Sequence, residues 1–236
     1  TRFPYVANFY RYQRDLKFLK SEVKYRDCLG FYFNGLSSME NGQFEIEETK
    51  IFDTVLPHCD VFLNVGANTG YYACRALNRN IKTIAFEPNQ VNVNVLLKNI
   101  KANKFEEEFI LFPIAVGNKC GVIPMYGCST GASLIEGWAD QKESTLVPIL
   151  VFDHFAGHLI RNKRCLVVID VEGSELNFLK GALSLLDSDS GNIFLMEISI
   201  SEHQPSGINI NPHLFETFKL MFSHQYNAYT ADEKLR

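Results

Sequence analysis

Five short apolar runs set the rhythm of the chain, at residues 61–65, 83–86, 109–116, 166–171 and 193–198. Each is apolar at nearly every position rather than at alternate ones. That is the pattern of strands covered on both faces, as in a parallel sheet crossed by helices. The intervening segments carry helical spacing. Val93, Leu96, Leu97 and Ile100 fall on one helical stripe, although Val91, Val93 and Val95 also alternate as a strand would. Parallel neighbours need a crossover here, so the segment after Asn89 is read as a helix. Ser174 is read as the cap of a helix whose stripe is Leu176, Leu179, Leu183 and Leu186. A late helix over 212–224 and a possible strand over 226–230 complete the pattern. The expected class is α/β, with a mostly parallel central sheet and helices on both faces.

Two stretches break this rhythm. Residues 1–43 are aromatic-rich and irregular, with a helix expected over about 10–24 and a turn at Met39-Glu40-Asn41-Gly42. They are read as an N-terminal helical or irregular extension, and 44–236 as one domain. Residues 117–150 are rich in Gly, Pro, Ser and Thr and hold the single tryptophan, Trp138. An insertion there would lie over the carboxyl edge of the sheet, where open α/β sheets bind ligands.

Composition changes the picture little. A net charge of −4, with Lys and Arg scattered along the 236 residues, gives no basis for a nucleic-acid partner or an anionic membrane surface. No apolar stretch approaches the ~20 residues that span a bilayer, and no leader pattern is visible. The chain opens on Thr1 rather than Met, as a trimmed or partial chain would. The six cysteines form no CxxC pair and no zinc-like group with histidine, so reduced thiols and a cytoplasmic location are expected. His154 beside Asp153 lies in an apolar helical pattern, and no metal is expected there.

Three segments carry candidate chemistry. In Val61-Phe62-Leu63-Asn64-Val65-Gly66-Ala67-Asn68-Thr69-Gly70 an apolar strand runs into a glycine turn, with a helix expected to start near Thr69. Gly66 permits close backbone approach, and free helix N–H groups favour an anion, whether a pyrophosphate or an amino-acid carboxylate. Twenty-one residues after Gly66, Glu87 ends the second strand and Pro88 turns the chain away. A carboxylate there can accept both hydroxyls of a ribose. In Val168-Ile169-Asp170-Val171-Glu172-Gly173-Ser174-Glu175, two acids alternate after a fully apolar strand, which puts Asp170 and Glu172 on one side if the strand continues. Glu172 reads equally well as a complement to the following helix N-terminus.

Taken together, Asn-Val-Gly-Ala-Asn-Thr-Gly-Tyr-Tyr (64–72), Ala-Phe-Glu-Pro-Asn (85–89), Ala-Val-Gly-Asn (115–118), Ile-Asp-Val-Glu-Gly-Ser-Glu-Leu (169–176) and Leu-Lys-Gly-Ala (179–182) resemble the successive motifs of the FkbM methyltransferases. The resemblance runs from about Phe44 to the C-terminus. It implies a Rossmann-like class I methyltransferase fold, S-adenosylmethionine (SAM) as cofactor, and O-methylation of a sugar, glycan or natural-product hydroxyl. Carried across residue by residue, Asn64, Gly66, Ala67, Asn68, Thr69 and Gly70 would hold the methionine end of SAM. Glu87, with Pro88, would hold the ribose, and Ala115 would lie near the adenine. Asp170 would stand by the sulfonium and the acceptor. Glu197 would line the acceptor pocket, and the 129–134 loop, with Ser129 and Ser133, resembles the family's substrate loop. The family's usual Asp and Lys are replaced here by Asn64 and Val168, and Asn64 lacks the charge that would complement the SAM ammonium.

Such a methyltransferase needs a base near the acceptor hydroxyl. Asp170 and Glu172 are the candidates, with Glu197 and His203 behind them. The sequence leaves the acceptor and the oligomeric state open. Two rival readings remain. A nicotinamide dehydrogenase shares the strand-two acid, but Asn68 and Tyr71 occupy the second and third glycine positions of its fingerprint. A non-catalytic binding module is favoured only by Asn64.

Overall fold

A computed structural model describes residues 19–127, 131–140 and 143–231, together with Gln13 and Leu16. Of the helix expected over 10–24, the described positions Gln13, Leu16, Leu19 and Lys20 are helical, and the rest lies outside the described residues, apart from its end. There Lys24 opens a strand instead. The hairpin β1 (Lys24–Arg26) and β2 (Phe31–Phe33) leads to a single-turn helix α1 (Ser37–Glu40) and then α2 (Ile46–Val55).

The central sheet has five strands, β3 (Val61–Val65), β4 (Lys82–Phe86), β5 (Phe109–Phe112), β9 (Cys165–Ile169) and β10 (Ile193–Met196). Their order is β10-β9-β3-β4-β5 and every pair is parallel. All five residues of β3 and of β9 are buried, which accounts for their unbroken apolar reading. Successive side chains alternate between the faces. Phe62, Ala85, Leu166 and Val168 pack with β2, α2, α3 (Tyr71–Leu77) and α4 (Gln90–Asn103) on one side. Val61, Leu63, Val65, Ile84 and Val167 pack on the other side with α5 (Phe152–Phe155), α6 (Glu175–Lys180) and α7 (Leu183–Leu186). The closing helix is α8 (Leu214–Ser223). The segment after Asn89 is the helix α4, capped by the Asn89 side chain on the N–H groups of Val91 and Asn92.

Three expectations need correction. The run 109–116 is two strands in two sheets. Pro113 has no N–H to continue the ladder, and the chain leaves the central sheet after Phe112. It re-enters as β6 (Ala115–Gly117), which joins β7 (Gly121–Tyr126) and β8 (Ser144–Val151) in a separate three-stranded sheet, order β6-β8-β7. The insertion is therefore a small sheet rather than an irregular loop. The helix expected after Ser174 is broken in two at Gly181, where a Cβ would stand 1.9 Å from the Gly117 carbonyl oxygen. Ser174 does not cap it. Its hydroxyl is buried without a partner, and the Glu175 carboxylate instead accepts the Gly173 N–H at 2.8 Å. Residues 226–230 form no strand; the Tyr226 ring packs edge-on to Phe194.

The N-terminal hairpin is joined to the sheet through α4. Asn99, fully buried, accepts the Asn34 N–H at 2.9 Å and donates to the carbonyls of Asn34 and Thr69 at 2.9 and 2.8 Å. One side chain thus couples β2, α4 and the turn after β3. Asn99→Ala leaves those backbone groups buried and unpaired, and lowers the unfolding free energy by about 2–3 kcal/mol. Denaturant titration checks this; a loss below about 0.5 kcal/mol contradicts it.

Candidate functional site

The turn after β3 is tied to the end of β4. The Gly66 and Ala67 N–H groups both donate to the Phe86 carbonyl at 3.0 Å, Thr69 N–H to its neighbour Asn68 Oδ1, and Gly70 N–H to the Ala67 carbonyl. Helix α3 begins only at Tyr71, not near Thr69. The N–H groups of residues 66–70 are therefore taken by Phe86, Glu87 and the turn's own oxygens, and the first-turn N–H groups of α3 are those from Tyr71 onward. Gly66 has φ +85°, and a Cβ there would lie 1.7 Å from the Asp170 carbonyl oxygen. Its glycine is required by the end of β9 pressing against the turn, whatever ligand approaches the other side.

Glu87 leaves the end of β4 and points back at this turn. Its Oε2 accepts the Asn68 N–H at 2.7 Å and its Oε1 the Asn89 N–H at 2.8 Å. The side chain is buried, and burial pushes its carboxyl up to about 7 against these hydrogen bonds. The first two sequence segments thus meet in space, at hydrogen-bond distance.

Two cavities open at the carboxyl ends of the strands. The narrower, about 60 Å³, is lined by Glu87, Pro88, Ile114, Ala115, Met125 and Leu134 among others. The larger, about 360 Å³, is lined by Met39, Phe44, Glu45, Glu48, Asn64, Ala67, Tyr71, Tyr72, Val168 and Glu197 among others. Gly66, Asn68 and Asp170 line both, so the cavities meet at the turn. Small-molecule sites span about 300–1,000 Å³; the larger cavity reaches that size unaided. Thr69 and Gly70 face neither cavity. Thr69 is buried with its hydroxyl on the Met39 sulfur at 3.6 Å, and a Cβ on Gly70 would strike Leu96.

Compared with known families, residues 64–227 match the model of the methyltransferase FkbM domain, well over half of the chain and spanning the strands that build the cleft. The chain belongs to the FkbM methyltransferase family. That membership decides for methyl transfer over the dehydrogenase reading. No curated protein matches the chain at a meaningful level.

The carboxylates of this FkbM domain divide by what holds them. Asp170, just past the end of β9, stands at the junction, its side chain without a hydrogen bond to another described residue. Burial raises its carboxyl well above the usual carboxylate range, helped by Glu197, Glu172, Glu45 and Glu175 nearby. Glu172 is held otherwise. The strand stops at Ile169 and Glu172 has φ +49°, so strand alternation does not place it. Its Oε2 accepts the Trp138 indole N–H at 2.8 Å, and its carbonyl accepts the Ser133 hydroxyl at 2.6 Å. Ser133 also accepts the Ile135 N–H at 3.0 Å and is 1% exposed, which makes it a clamp for the insertion rather than a residue facing a ligand. Trp138, 1% exposed and packed under Gly173, offers no stacking face. His203 is exposed, with Nδ1 at 3.8 Å from Glu172 Oε2 and its ring against Trp138. Ser129 lies outside the described residues. Among the described residues no group of three or more His, Cys, Asp or Glu is placed to hold a metal ion. Asp153 is instead bonded to Ser184.

Glu45 was invisible in the sequence. It precedes α2 in the left-handed region, φ 42° and ψ 62°, with its Oε2 accepting the Tyr72 hydroxyl at 2.7 Å. Burial raises its carboxyl to about 7. In Glu45-Ile46-Glu47-Glu48 the acids read as ordinary complements of a helix N-terminus, and nothing marks two of them as cavity walls. A non-glycine residue held at positive φ is a common sign of a functional position.

Glu45, Glu87 and Glu175 all stand near 7, raised first by burial from an unfolded value of 4.5. A group raised in the folded state stabilises the fold fully below its unfolded value and loses that contribution as pH rises through its folded value. The unfolding temperature of the ligand-free protein therefore falls as pH goes from about 5.5 to 8. Thermal unfolding across that range checks it, and a rising midpoint contradicts it.

Proposed function

We propose that this FkbM domain transfers the methyl group of SAM to a hydroxyl of a small acceptor, a sugar, glycan or natural product. One observation carries the reading: Gly66, Asn68 and Asp170 border two cavities that meet, one beside the strand-two acid and one with room for an acceptor.

The residues fit the cofactor. Glu87 accepts the backbone N–H groups of Asn68 and Asn89 and a side-chain bond from Asn92, and a ribose diol takes its remaining acceptor site and the one it shares with Asn92. Ile114, Ala115, Met125 and Leu134 give the apolar walls an adenine needs. The narrower cavity is below the usual range for a ligand of this size, so the outer wall of Met125, Ala132 and Leu134 moves outward as the nucleoside enters. The amino-acid end extends past Gly66 along Asn64 and Ala67 into the larger cavity. When bound, SAM supplies a methyl group already activated by its sulfonium. Asp170, at the junction, accepts the proton that an acceptor hydroxyl gives up; burial and the neighbouring acids raise its affinity for that proton. Glu172, tied to Trp138, holds the insertion against the cleft and supports Asp170 by position. Glu197 borders the acceptor's cavity. A cytoplasmic, small-molecule role accompanies this reading; among the described residues no helix is long and apolar enough to cross a membrane.

Glu87→Gln keeps the volume but removes the charge that strengthens both ribose bonds. Calorimetry should find S-adenosylhomocysteine binding weakened about tenfold or more, and unchanged affinity removes Glu87 from the site. Asp170→Asn should leave that affinity within about twofold but cut methyl transfer from labelled SAM by about a hundredfold on a panel of hydroxylated sugars. Undiminished transfer takes the base role away from Asp170.

A further inference from the structure

The larger cavity has a chemistry that methyl transfer to a neutral hydroxyl does not call for. Among the described residues its lining holds the carboxyls of Glu45, Glu48, Asp170 and Glu197 and includes no Lys, Arg or His. The charged groups packed around it do not supply the missing cation. Arg75 lies over the Tyr71 ring at 5.4 Å but is paired with Asp53, and His203, beside Glu172 and close enough to act on Glu197, does not itself line this cavity. Phe44, Tyr71 and Tyr72 form an aromatic wall with ring centroids 5.3–6.4 Å apart. Carboxylates beside aromatic faces make a good receptor for an organic cation.

A second observation points the same way. Asn64 is 2% exposed, lines this cavity, and its Oδ1 is buried with no hydrogen-bond partner. An amide oxygen only accepts, so a cationic N–H donor inside this cavity completes it, whether the ammonium of SAM, which the proposed pose lays along Asn64, or that of the acceptor. The acids do not converge as metal ligands would, since no three of the described His, Cys, Asp or Glu side chains are grouped to hold an ion. The cofactor itself does not use up this capacity. SAM brings a sulfonium and an ammonium but also its own carboxylate, one net positive charge against four acids.

We infer that the acceptor is a hydroxylated amine, such as an amino sugar, held in this cavity by its protonated nitrogen between Glu45, Glu48 and Glu197 while its hydroxyl meets Asp170. This rests on the methyl-transfer reading for the hydroxyl, but the cation preference belongs to the cavity alone. The amine is a handle rather than the methylated atom, because a protonated nitrogen has no lone pair to attack with.

Saturation-transfer NMR and competition at neutral pH, with and without S-adenosylhomocysteine, test it on a matched pair of probes, methyl glucosaminide and methyl glucoside. The glucosaminide is expected to bind about tenfold tighter, and Glu48→Gln to remove most of that difference while S-adenosylhomocysteine affinity stays within about twofold. Equal binding of the two probes, or binding of neither, overturns the inference. So does measurable binding heat from magnesium chloride alone, which would assign the acids to a metal. Absence of S-adenosylhomocysteine binding sinks the methyl-transfer reading instead, and the probe pair measured without it still reports on the cavity.

Discussion

Burying a carboxylate strips it of water, and the cost is recovered only where protein donors take the water's place. Glu87 recovers part of that cost with one backbone N–H on each oxygen, from Asn68 and Asn89. Asn68 belongs to the turn after β3, and Asn89 caps α4. One side chain therefore fixes the end of β4, the turn of the neighbouring strand and the start of the following helix. The rest of the cleft takes its position from this tie. Gly66 and Asn68 can border both cavities because the turn is held open between them, and Asp170 reaches the junction because its carbonyl fills the space a Cβ on Gly66 would need.

The outer wall is held by a second, independent set of bonds. Glu172 ties the three-stranded sheet built from β6, β7 and β8 to the cleft, its side chain and carbonyl taking Trp138 and Ser133, while Val116 packs into the core of the central sheet. The positive φ at Glu172 aims both groups at the insertion. The inner wall, by contrast, comes from the N-terminal side: Met39, Phe44, Glu45 and Glu48 reach the larger cavity, steadied by the Asn99 bonds to Asn34 and Thr69. Cofactor recognition and acceptor recognition are thus assigned to different parts of the chain that touch at one turn.

Much of this frame was legible in the residues, and the reasons are physical. Strands buried on both faces must be apolar throughout, so β3, β4, β9 and β10 announce themselves, as does the amphipathic α4. What the pattern hid were features decided by tertiary contact. Pro113 splits one apolar run between two sheets, and Gly181 breaks a continuous leucine stripe because the Gly117 backbone passes there. Ser174 has the right residue type for a cap, but its φ and ψ of −103° and 15° leave the hydroxyl turned inward. The resemblance places Ser133 in a substrate loop; in the fold its hydroxyl, like the Trp138 indole N–H, is taken by Glu172. Glu45 shows the converse. Its importance comes from a left-handed backbone and a Tyr72 hydroxyl 27 positions away, neither of which a linear pattern contains.

The claim on which the account turns is that the Gly66–Asn68 turn and Glu87 form one nucleoside site. A crystal structure of the protein soaked with S-adenosylhomocysteine tests it most directly. The account predicts both ribose hydroxyls within about 2.5–3.2 Å of the Glu87 carboxylate oxygens, with the adenine against Ala115 and the outer wall displaced. A nucleoside found wholly in the larger cavity, with Glu87 bonded to Asn68, Asn89 and Asn92 and to no ribose hydroxyl, would contradict it.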